Sequence, residues 1–368
     1  MSSPRTKASH RDVAARADAA EQRDLSEIAT PEPAPRARRR RPPRALVLAV
    51  LAVLFAVLLW VDVNTGYRQI SLEQLWGVIT GTGEKSVAFT LVNLRLPRVL
   101  TAMLVGIGLG LSGCLLQGVT RNDMAEPGVL GINAGAGLFV AAFFVFFPQL
   151  DLPTEFVLPA LAFMGSLLVA FLDYRLAVTR RGMSPRRFLL VGIAIATAVS
   201  SFTTMLMLRL PDSDYAFVQN WIAGNIWGAT WPNVAMLAIG LGVLALIAFY
   251  KSRTLNVLGL GEQTATGLGV NVRRQTVGLL GVSIAMSSLC CAVGGGLSFV
   301  GLVCPHLARR LVGPDYRVLI PATLLVGAVL MCASDIVSRT LIAPNEIPIG
   351  IVAAIIGAPY FLYLLTKA

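Results

Sequence analysis

The chain has 368 residues, of which 55% are apolar and only 14% charged, where soluble domains carry about 25% charged residues. With a mean hydropathy of +0.70, this composition excludes an ordinary soluble enzyme and points to a polytopic membrane protein. The formal charge of +11 raises nucleic acid as a partner, but its placement excludes one: residues 1–44 carry a surplus of 5 basic residues, with 11 Lys/Arg against 6 Asp/Glu, and the rest gather in short loops.

Residues 1–44 are polar and rich in Arg, Ala and Pro, ending in PEPAPRARRRRPPR. Such a segment buries too little apolar surface to fold alone. It is expected to be a disordered cytoplasmic arm whose basic end, Arg36 to Arg44, lies against anionic membrane lipid. The run from Ala45 to Val61 is too long and Leu-rich for a cleaved signal peptide and reads as a retained first span.

A membrane helix needs about 20 apolar residues. Such runs fall at 45–63, 96–117, 129–148, 156–177, 188–208, 233–250, 275–292, 296–308, 318–338 and 347–366. The expectation is an all-α protein with about ten transmembrane helices. Gly294, Gly295 and Gly296 separate the seventh and eighth runs, either as a tight turn or as a break in one longer element. Arg180, Arg181, Arg186, Arg187, Lys251, Arg253, Arg273, Arg274, Arg309, Arg310 and Arg317 lie in alternate loops. Those loops and both termini are therefore assigned to the cytoplasm. Asp151, Glu155, Asp212 and Asp214 lie in the opposite loops.

Two phosphate-binding patterns are decoys. Gly108-Leu-Gly-Leu-Ser-Gly113 follows no strand and sits inside a membrane run. In Gly81-Thr-Gly-Glu-Lys-Ser86, Glu84 breaks the Gly-Lys pair and the topology places it outside the cell. The five cysteines (114, 290, 291, 304 and 332) all lie in or beside apolar runs, which argues against a disulfide framework. Cys304-Pro305-His306 lacks the further ligands of a metal site. The sequence calls for no cofactor, metal or catalytic residue.

Residues 95–137 form a Gly-rich apolar hairpin, with Gly106, Gly108, Gly110 and Gly113 allowing close helix approach. The loop 252–274, SRTLNVLGLGEQTATGLGVNVRR, is the longest on the cytoplasmic side and suits two short amphipathic helices on the membrane face, or else an inert interfacial loop. Polar residues inside spans are costly and often functional. Gln117, Asn133, Ser200, Ser201, Thr203 and Thr204 are such residues, either lining a pathway or making interhelical hydrogen bonds.

Residues 95–137 and 252–274, together with GLVCPHLARRLVGPDYRVLIPA (301–322) and the terminal stretch 333–365, resemble the FecCD-type permease subunits of ABC importers for iron-siderophores, haem and cobalamin. The resemblance covers roughly residues 45–368. It implies a translocation subunit, not an enzyme, paired with a second permease subunit as a homo- or heterodimer and driven by two separate ATPase subunits. It also implies that Arg95, Arg98 and Arg339 receive acidic residues of an extracytoplasmic substrate-binding protein. From the residues alone, snorkelling to lipid phosphate is the other reading of these arginines. The loop with Gly261, Glu262, Ala265, Leu268 and Gly269 resembles the segment that docks on the ATPase. By the same resemblance the fifth and tenth spans line the passage, with an inner gate near Ser184 and Pro185, although the family's pair of small hydroxyl residues is interrupted here by Pro185. The competing class is an ion-gradient-driven secondary transporter, which needs buried acid or His relays that the mid-span regions largely lack.

Overall fold

The computed structural model describes residues 43–65, 72–82, 84–148, 153–179, 182–183, 185–226 and 228–366. The expected basic arm falls outside them up to residue 42, as does Ser184; Pro185 is described only in its backbone.

The described chain is helical apart from a two-residue ribbon, β1 (Val178–Thr179) with β2 (Gly182–Met183). Its helices are α1 (Arg44–Asn64), α2 (Leu72–Thr80), α3 (Lys85–Thr120), α4 (Ile132–Phe146), α5 (Thr154–Ala177) and α6 (Pro185–Met207). There follow α7 (Asp212–Ile222), α8 (Trp231–Tyr250), α9 (Ser252–Gly259), α10 (Glu262–Gly267), α11 (Val272–Gly294), α12 (Val300–Val312), α13 (Tyr316–Thr340) and α14 (Ile349–Leu365).

Every apolar run of the sequence coincides with a helix, and seven helices are long and apolar enough to cross a bilayer. α4, α12 and α14 are shorter, at 15, 13 and 17 residues. The structure adds α2, which the hydropathy pattern does not announce, and extends the second apolar run back to Lys85 through a π-helical stretch at Thr90–Arg95. Lys85 and Ser86 of the phosphate-loop decoy belong to that extension.

α3 is the central helix. In its most apolar window 78% of residues are buried, against 11% for α1 and 17% for the window in α6, so α3 is surrounded by protein while the other two stand at the periphery. It packs against α13, α11, α12 and α8. The approaches to α13 and α12 are close enough to demand glycine: a Cβ on Gly106 would lie 2.2 Å from the carbonyl oxygen of Gly327 in α13, and one on Gly113 would lie 1.7 Å from that of Gly301 in α12. This is small-residue packing as lipid-embedded helices use it, where apolar burial alone gives no preference for helix over lipid. A second core joins α4 and α5 through Ile132, Ala136, Val140, Ala162 and Ala170.

The break at Gly294–Gly296 is a turn. α11 ends at Gly294, and the Gly295 and Gly296 backbones lie against the carbonyls of Trp221 and Ile222 at the end of α7. All five cysteines are buried and free.

Candidate functional site

At the end of the bundle assigned outward by loop charge, α1 terminates beside the start of α3 and the end of α13. The last carbonyls of a helix lack intrahelical partners and form its negative pole. Two arginines meet that pole on α1. Arg95 Nη1 donates to Val63 O at 3.1 Å, and Arg339 donates to Thr65 O at 2.7 Å and Asp62 O at 2.9 Å. Arg339 also forms an ion pair with the Asp62 carboxylate and approaches Asp335 Oδ2 at 3.0 Å. Arg98 completes the group. Its Nε and Nη2 donate to Asp335 Oδ1, each at 3.0 Å, and its Nη1 donates to Glu346 Oε2 at 2.7 Å.

The structure thus brings Arg95, Arg98 and Arg339 together, as one docking patch requires. It also shows what the sequence reading missed: Arg98 and Arg339 are held by this chain's own acids. Asp62 and Asp335 are fully buried, and buried carboxylates persist only when paired and hydrogen-bonded. A lone acid closing an apolar run, as Asp62 does in WVDVN, was the available signal.

The opposite end holds the 252–274 loop, which does form two short helices. In α9, Leu255 and Leu258 are buried against the bundle. Asn256 bridges α9 to α13: its amide donates to Asp315 Oδ1 at 2.8 Å and its carbonyl accepts from the Tyr316 amide at 3.0 Å. Asp315 also accepts from the Arg317 amide, so the Asn256 and Arg317 hydrogen bonds hold its carboxyl below the ordinary carboxylate range. This contribution is complete above the ordinary carboxylate pKa and is lost as pH falls through the lowered one. From α3, Arg121 Nε donates to Leu258 O at 3.1 Å. The loop is therefore clamped to the inner ends of α3 and α13, the two helices that carry Arg98 and Arg339 at their other ends.

Within α10, Ala265 is fully buried whereas Glu262 is exposed, and the flanking Leu260 and Leu268 stand 63% and 62% exposed. Gly261 (φ +105°) and Gly269 (φ +80°) bracket the helix; no atom lies within 4 Å of a Cβ at either, so backbone conformation and not crowding selects glycine there. Ala265 thus faces inward, and of the two apolar positions the sequence singled out, only Leu268 is exposed.

The pathway candidates separate. Gln117 is buried, with Nε2 3.4 Å from Leu302 O, and Asn133 Nδ2 donates to Leu297 O at 3.2 Å. Glu126 accepts from the Phe299 amide and so caps the start of α12, a role no motif signalled. These three side chains serve one segment, 297–302, at the head of α12. The α6 hydroxyls do otherwise: Thr203 and Thr204 donate to Val199 O and Ser200 O four residues back, so they satisfy themselves within the helix, and Ser200 is exposed. α6 and α14 both turn large apolar side chains outward, including Leu190, Ile193, Met205, Ile351, Ile355 and Leu362.

A central glycine-packed helix, a ring of apolar helices around it and a helical loop clamped to one end define a membrane-embedded transport subunit. The chain matches the FecCD transport family over residues 52–367 and belongs to it. It is 39% identical over 327 residues to the iron(3+)-hydroxamate import system permease protein FhuG of Bacillus subtilis (strain 168), covering 88% of this chain and 97% of that one. It is 35% identical over 326 residues to the hemin transport system permease protein HmuU of Yersinia pestis, covering 88% and 96%. A solved structure described as an inward-facing conformation of a metal-chelate type ABC transporter superposes with a TM-score of 0.77 at 27% identity, covering 88% of this chain and all of that one. The protein is a multi-pass permease of the cytoplasmic membrane.

Proposed function

We propose that this chain imports a ferric chelate, with an iron-hydroxamate siderophore as the first candidate and haem as the second, because relatives named for those cargoes match nearly their full length. Two ATPase subunits supply the energy by docking on the 252–274 loop. A loaded extracytoplasmic binding protein docks at Arg95, Arg98 and Arg339. The outward apolar faces of α6 and α14 meet a second permease subunit, the same chain or a relative, and the cargo passes between the two, with the inner gate at the start of α6 near Ser184 and Pro185. This chain performs no bond chemistry.

The observation that carries the ATP-driven reading is the coupling loop. Its buried side is fastened to α3 and α13 by Arg121 and Asn256, while Leu260, Glu262 and Leu268 are left facing outward. A contact on that face bears directly on the helices that reach the arginine cluster. The competing reading is an ion-gradient carrier: the buried acids Asp62 and Asp335 are neutralised by arginines at one end of the bundle, which speaks against it, while Asp173 in the last turns of α5 is fully buried without a hydrogen-bond partner among the described residues and is the acid such a carrier would use. The test is co-expression with the ATPase of the same transport system. Stoichiometric co-purification, lost on replacing loop 260–268 with a Gly/Ser segment, supports the reading; a permease that transports its cargo alone refutes it.

A further inference from the structure

The Arg98 guanidinium has two unlike sides. Its inner side, Nε and Nη2, holds Asp335, which is fully buried. Its outer side, Nη1, holds Glu346, whose side chain is 36% exposed against 11% for Arg98 itself. Glu346 therefore covers the one edge of Arg98 that faces water. Across the whole cluster three arginines meet three carboxylates, Asp62, Asp335 and Glu346, so the formal charges cancel. An acid arriving from outside meets a neutral patch whose outermost arginine is already occupied.

The two acids on Arg98 differ in how readily they leave. Removing the partner of a buried carboxylate strands a charge in a low-dielectric site, so Asp335 stays. An ion pair open to water holds by no more than about fivefold in equilibrium terms. Glu346 sits in the 341–348 connection between α13 and α14. The next residue is pinned, with the Ile347 amide donating to Ser338 O at 3.2 Å and Ser338 Oγ donating to Ile347 O. The Glu346 side chain can swing away without the connection moving.

We propose that Glu346 is a built-in competitor on the docking surface: it holds Nη1 of Arg98 in the free permease and gives it up to a carboxylate of the extracytoplasmic binding protein. This rests on the docking role proposed above for the arginines. The exchange replaces one ion pair by another, so a partner gains affinity only if its carboxylate reaches Arg98 in a better geometry than Glu346 does. Neutral proteins and weakly acidic surfaces gain nothing, and the competitor thereby sharpens partner choice.

The test measures binding of the purified binding protein to the complete transporter in nanodiscs, comparing wild type with Glu346→Gln. The expected result is tighter binding, by up to about fivefold. The gain lies mainly in the on-rate, and salt dependence steepens because the cluster becomes net positive. Glu346→Asp retains a competing charge and stays nearer to wild type. In Arg98→Gln/Glu346→Gln the gain disappears. If Arg98→Gln weakens binding while Glu346→Gln leaves affinity and salt slope unchanged, or weakens binding, docking stands and the competitor role is wrong. If neither single variant alters binding, the docking reading itself fails and the competitor role falls with it.

Discussion

Replacing Leu268 with Asp separates the coupling role of loop 252–274 from its structural role. Leu268 is 62% exposed, while Ala265, three residues earlier in the same segment, is fully buried in this chain. Burying a leucine in a partner's cleft contributes about 1.5–3 kcal/mol. Leu268→Asp removes that and sets a carboxylate in the contact, where its desolvation adds to the cost. A total near 3 kcal/mol corresponds to roughly 150-fold weaker binding of the ATPase. The fold is spared, since the Leu268 side chain stands mostly in the open and packs little against the chain. Ala265→Asp instead forces an unpaired carboxylate beneath α10, which costs several kcal/mol and falls on the loop's own folding. The assay is co-purification of the ATPase and cargo uptake, with thermal unfolding of the purified permease measured in parallel. Leu268→Asp is expected to lose the ATPase and uptake at an unchanged melting temperature; Ala265→Asp is expected to lose all three. A Leu268→Asp permease that keeps its ATPase and transports normally refutes the assignment of this face to the ATPase.

Cysteines introduced into loops 178–187 and 309–317 should resist membrane-impermeant reagents on intact cells, while one near Asp212 should react; the reverse pattern inverts the topology. Gly106→Val should lower the melting temperature by an overpacking cost of about 1–3 kcal/mol or more, because its Cβ falls 2.2 Å from the Gly327 carbonyl oxygen. Gly242→Val is the control, with no atom within 4 Å of the added Cβ; equal melting temperatures for the two variants contradict the packing at α3 and α13. Deleting residues 2–35 should leave uptake near normal at matched expression, and loss of uptake by correctly inserted protein would assign the arm a specific role.

The helices were legible because a bilayer imposes a length and an apolar composition on each one, and these can be counted along a chain. The paired glycines of α3 were legible for a related reason: in lipid, close approach requires small residues. α2 was not, because at nine residues LEQLWGVIT is too short to register as a membrane span; its end signals are local ones, Ser71 three residues before Gln74 and Gly81 directly after Thr80. The outer cluster was only half visible. Arg95, Arg98 and Arg339 stand out as cations where loop charge disfavours them. Asp335 and Arg339 were within reach of the i,i+4 rule for helix pairs, but the other partners come from distant parts of the chain: Asp335 lies 237 residues from Arg98, and Asp62 277 residues from Arg339. No spacing rule connects residues that far apart. Gln117 and Asn133 read equally as pathway or packing residues until the fold placed both against 297–302. The α6 hydroxyls looked like interhelical donors, yet a helix offers each a carbonyl one turn back, and Thr203 and Thr204 take it.

The most direct measurement of the central claim is iron uptake in proteoliposomes that contain this permease, its ATPase and its second permease subunit, with binding protein and radiolabelled ferric hydroxamate outside. The account predicts accumulation that requires ATP inside and the binding protein outside, and that persists when ion gradients are collapsed with ionophores. Uptake that survives removal of ATP but stops when a proton or sodium gradient is collapsed would contradict it.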